Sequence, residues 1–120
     1  MKTSRSDTVR DWVKEIQVEI RDSSDLLPDR AAALLTTLTA LIGNCNDEIR
    51  QADAAYAQVL LCHLESEKAA NRAKVRAETT AEYLRKREAR DTKELSLELC
   101  RALKYFLRSK SDELQLSRHM

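Results

Sequence analysis

Cys62 and His63 are the only adjacent soft metal ligands in the chain. Neighbours on a helix point about 100° apart, so this pair cannot grip one ion by itself. Zinc takes about four ligands at short paired spacings, and Cys45, Cys100 and His119 all lie far along the sequence. The three cysteines read instead as small buried hydrophobes. Their odd number and wide spacing, with no apolar N-terminal stretch of the secretion type, suit a reducing cytoplasm. Carboxylates one helical turn apart occur at Glu15 and Glu19, Glu78 and Glu82, and Glu94 and Glu98. Such pairs hold magnesium in helical bundles when several converge on one cavity. Here Lys or Arg flanks each pair, which is the pattern of a solvated face. Neither histidine has a readable nucleophile and orienting acid around it. The expectation is a non-enzyme with no cofactor and no metal.

Two cationic stripes offer different chemistry. Arg101, Lys104 and Arg108 recur at helical spacing with Tyr105 among them, and Lys68, Arg72 and Arg76 form a similar line. Such residues neutralise phosphates, and a neighbouring aromatic stacks on an unpaired base. The net charge is only +1, so the bland alternative is a solubilising face. Charge is nonetheless uneven: residues 1–64 hold 7 basic and 10 acidic groups, and residues 65–120 hold 14 and 10.

These side chains must be positioned by helices. Ala, Leu, Glu, Lys and Arg make up 64 of the 120 residues, against one Gly and one Pro, the composition of long helices and coiled coils. A single glycine excludes phosphate-cradling glycine loops, the dinucleotide fingerprint and the nucleophile elbow. Val9, Trp12, Val13, Ile16 and Ile20 recur at helical spacing and predict an amphipathic helix over 7–22, capped by Ser6 or Asp7. Trp12 fits either this packing stripe or a partner's groove. A second helix over 29–77 follows Leu34, Leu38, Leu41, Cys45, Ile49, Ala52, Tyr56, Val59 and His63 without loss of phase. The alternative is a break near Gly43. Beyond Leu64 its seam consists of Ala69, Ala70, Ala73 and Ala77, residues small enough for close backbone approach.

Thr79 and Glu82 match a capping box that starts a third helix over 80–116. That helix has a charged middle, Arg85 to Glu94, where Glu82 with Lys86 and Arg90 with Glu94 are spaced to pair. Its apolar face is expected to carry Leu84, Leu95, Leu99, Ala102, Leu103, Phe106, Leu107 and Leu114. The longest uncharged run, Ala31 to Asn46, is too short and too polar to cross a membrane.

The expected fold is all-α and a single domain: a short amphipathic helix packed on a long antiparallel, coiled-coil-like helical hairpin. A thin elongated core leaves burial incomplete, so the protein is expected to be a homo-oligomer with a further protein partner. Trp12, Leu99, Leu103 and Phe106 are the expected interface. The runner-up is nucleic-acid binding through Lys68, Arg72, Arg76, Arg101, Lys104, Tyr105 and Arg108.

Across the last forty residues, Asp91-Thr92-Lys93-Glu94, the run from Arg101 through Ala102, Leu103, Lys104, Tyr105, Phe106 and Leu107 to Arg108, and the closing Leu116-Ser117-Arg118 resemble a loose group of small helical bacteriophage and prophage proteins. Genes of that group often lie near phage recombination genes. The resemblance covers a third of the chain and transfers no functional residue. It implies an accessory viral protein in the host cytoplasm. Such a protein would either help a single-strand annealing system in DNA recombination or bind and block a host protein.

Overall fold

Val9, Val13, Ile16 and Ile20 return every three to four residues, so one face of the first helix is apolar and buries itself. In the computed structural model, which describes residues 8–119, this is α1 (Val9–Asp22). Its cap is Thr8, whose hydroxyl accepts the Asp11 backbone NH at 3.1 Å. The expected caps Ser6 and Asp7 lie outside the described residues.

Extended backbone at Ser23 ends α1. Pro28, which has no NH to lose in a first turn, opens α2 (Pro28–Ser66). This helix runs unbroken through Gly43, so the break considered there does not form. Leu34, Leu38, Leu41, Cys45, Ala52 and Tyr56 are buried along it, as the phase of the sequence requires.

The end of α2 departs from expectation. The chain does not stay helical to residue 77 but turns at Glu67–Ala69, where Glu67 and Ala69 are both extended. Helix resumes as α3 (Ala70–Ala77). No proline or glycine marks this turn. It is held by the Glu67 backbone NH on the His63 carbonyl at 2.9 Å and by the Glu67 carboxylate on Arg76 Nε at 2.7 Å. The gain from reversing here is that Ala73 and Ala77 pack back on α2 with no exposure at all.

A short interruption at Glu78–Thr80 then leads into α4 (Ala81–His119). The cap is one residue later than the box suggests. Thr80 accepts the Tyr83 NH at 3.3 Å, whereas Thr79 donates back to the Arg76 carbonyl at 2.7 Å.

The protein is thus an antiparallel helical hairpin in which α2 is one arm and α3 with α4 the other. Tyr56 meets Tyr83 with ring centroids 5.4 Å apart, and Cys45 meets Ser96 at 3.8 Å. Successive contacts therefore run in opposite directions along the two arms. The whole measures 74 × 31 × 21 Å.

α1 covers only one half of the hairpin. There Val13, Ile16, Leu34, Leu38, Leu99 and Leu103 make a three-helix core. In the other half the buried positions are mostly alanines, Ala52, Ala73, Ala77 and Ala89. Two helices that meet through alanine approach closely enough to need no third. Between the halves lies a polar layer in which Ser96 donates to the Thr92 carbonyl at 2.9 Å and Thr92 donates to the Glu88 carbonyl at 2.7 Å. Arg10 Nη1 reaches the Thr92 hydroxyl at 3.2 Å and ties the start of α1 to that layer.

Candidate functional site

The charged middle of α4 does not pair along its own helix as its spacing suggests. Arg85 turns to α2 and holds Glu48 through Nε and Nη2, at 2.7 and 3.0 Å, and Arg90 reaches Asp53 at 2.6 Å. Lys86 lies over the Tyr56 ring, 4.5 Å from its centre. At the other end Arg30 clasps Glu19 at 2.5 and 2.7 Å and locks α1 to α2. Hydrogen bonds from Arg85 and Arg30 hold the Glu48 and Glu19 carboxyls below their usual range. These are register clamps, and sequence reasoning missed them because it paired charges only within a helix.

The residues with potential for covalent or metal chemistry are scattered. Cys45 and Cys100 are buried, as expected, and burial pushes the Cys45 thiol up. Cys62 is exposed, which corrects its assignment to the core. It sits on the solvent side of α2 because the apolar line steps from Val59 to His63 and leaves it outside. Of the paired carboxylates, Glu19 is spent on Arg30 and Glu98 on Arg101. Among the described residues no three of His, Cys, Asp and Glu come together as a metal site would require. The side chain of His119 lies outside the described set.

A half-open cleft of about 570 Å³ sits at the start of α1. Arg10, Cys45, Glu48, Arg85 and Thr92 line it. Of its charged groups, Arg85 holds Glu48 and Arg10 reaches the Thr92 hydroxyl, while Asp11 and Glu88 complete the wall.

The expected interface divides. Leu103 is 1% exposed and Leu99 is buried beside it, both inside the chain's own core. They are spent holding α1 and α2 to α4 and have no apolar surface left for another subunit, which corrects their placement at an interface. Phe106 is half-buried against the same cluster. Trp12 lies on the flank of α1 at 39% exposure, so it neither fills the core nor stands clear of it. Among the described residues ten large hydrophobics are exposed, and six of them lie toward the two ends of the rod. Leu27, Leu114 and Leu116 are at one end, and Leu61, Leu64 and Val75 at the other.

The basic residues also divide. Arg101, Lys104, Tyr105 and Arg108 all face solvent on one side of α4, turned away from Leu99 and Leu103. Lys68, Arg72 and Arg76 are exposed too, but they flank the turn at the far end, and Arg76 is paired with Glu67. From Ala81 to Arg101 alone α4 rises about 30 Å, so the two stripes form no common surface.

No protein-family model, curated protein or solved structure matches the chain. No helix among the described residues is long and apolar enough to cross a membrane.

Proposed function

We propose that this protein is a non-enzymatic accessory protein that works as an interaction rod, associating with itself and with another protein through its ends. The observation that carries this reading is the placement of exposed aliphatic residues at the two tips, Leu27, Leu114 and Leu116 against Leu61, Leu64 and Val75. Single exposed leucines are ordinary on any surface; their concentration at the tips, where the hairpin runs out of its own partners, is not. Every residue from Ser111 to Arg118 is exposed although helical. A short helix with nothing packed on it is marginal in water, so these turns gain most from a partner's cover.

The resemblance that the sequence of the last third bears to small phage proteins is what suggests an accessory role in a host cytoplasm, blocking or recruiting a host or phage protein. Exposed Cys62 and buried Cys45 and Cys100, all free thiols, are at home in a reducing compartment.

Sedimentation velocity tests the self-association. The wild type is expected to exceed the 13.7 kDa of one chain, and Leu114→Glu or Leu64→Glu is expected to lower its mass with helicity intact.

A further inference from the structure

The solvent face of α4 between Leu99 and Ser111 holds cations without a single carboxylate: Arg101, Lys104, Arg108 and, round the side, Lys110. Lys110 is occupied, lying 5.6 Å from the Phe106 ring centre and 3.7 Å from Glu113. Arg101 has one partner, Glu98 at 3.0 Å, in an ion pair exposed on both sides and therefore weak. No ion pair engages Lys104 or Arg108 among the described residues. In their midst stands Tyr105, 71% exposed. An aromatic ring there contributes nothing to the core, and a charge-only ligand gains nothing from it. A base does, because its π-face stacks on the ring while its phosphates meet the flanking cations.

We propose that this face, Arg101, Lys104, Tyr105 and Arg108, binds single-stranded nucleic acid. The ligand must be single-stranded because a base within a duplex has both faces stacked on its neighbours and none free for the ring. The two outer arginines are seven residues apart, a rise of about 10 Å, so the contact spans a short run of nucleotides. The far stripe of Lys68, Arg72 and Arg76 takes no part. The leucines at the rod ends are separate from this surface, so this inference and the self-association reading stand or fall independently.

The test is fluorescence anisotropy of a labelled oligothymidine against the full chain at about 50 and 200 mM salt, with a duplex and a polyglutamate peptide as competitors. Three phosphate contacts on a single strand give a salt exponent of about 2, so affinity is expected to fall about 20-fold between the two conditions. Tyr105→Ala is expected to weaken binding at least about fivefold with the exponent unchanged, and Tyr105→Phe to restore it. Arg108→Glu should lower the exponent. Both positions are exposed, so melting temperature should not move, and that is checked on each variant. Three results would overturn the proposal: no binding at 50 mM salt, binding that survives joint reversal of Arg101 and Arg108, or equal competition by polyglutamate with no effect of Tyr105→Ala.

Discussion

Cys45 and Cys62 lie on the same helix and meet opposite fates. Cys45 is 1% exposed and its thiol is pushed up by burial, so little of it is the reactive thiolate. Cys62 faces water. A thiol reagent added to native protein should therefore label Cys62 promptly and Cys45 and Cys100 only on unfolding; prompt labelling of all three would contradict the packing described. The clamps predict a pH response. Glu48 and Glu19 titrate below their usual range when folded, so the unfolded chain takes up their protons first. Their contribution is fully present above the unfolded value of about 4.3 and is lost as pH falls through the folded one. Both carboxylates are more than a third exposed, so the effect is modest. Between pH 6 and 3, Glu48→Gln should lose less stability than the wild type. An equal loss would mean that the Arg85 clamp does not act on the folded state alone.

At the scale of the helices, Gly43 is the simplest test. It sits inside α2 with negative φ, and a methyl group added there meets nothing within 4 Å. Glycine in a helix costs about 1 kcal/mol relative to alanine, so Gly43→Ala should raise the melting temperature by several degrees. A fall would show that α2 needs a hinge there. The same helix shows how much was legible in sequence. The phase from Leu34 to Tyr56 placed each buried residue because packing and periodicity agree. The turn at Glu67 was invisible for the opposite reason: Ala69, Ala70, Ala73 and Ala77 keep helical phase, and no backbone-specific residue interrupts them. What sets the turn is tertiary, the docking of Ala73 and Ala77 onto α2 and the Glu67–Arg76 pair. The basic face of α4 was legible from spacing alone. Its exposure was not, because apolar Leu99, Leu103 and Phe106 interleave with it and could have served either a partner or the core.

At the scale of the whole molecule, a rod 74 Å long and 21 Å thin has much surface for little core. Its three-helix half is sealed by α1, its alanine half by close approach, and its tips by nothing among the described residues. Self-association at the tips is the central claim, and a mutant pair separates it from ordinary core loss. Leu103→Ala removes a buried side chain and should cost about 2–5 kcal/mol of stability while leaving the tips intact. Leu114→Glu touches only exposed surface and should leave stability almost unchanged. The most direct measurement is a sedimentation velocity series over concentration on the wild type and both variants. The expected result is a mass above one chain for the wild type and for folded Leu103→Ala, with Leu114→Glu reduced toward 13.7 kDa at full helicity. A wild type that stays at 13.7 kDa across the series, or a Leu114→Glu variant that sediments as the wild type does, would contradict it.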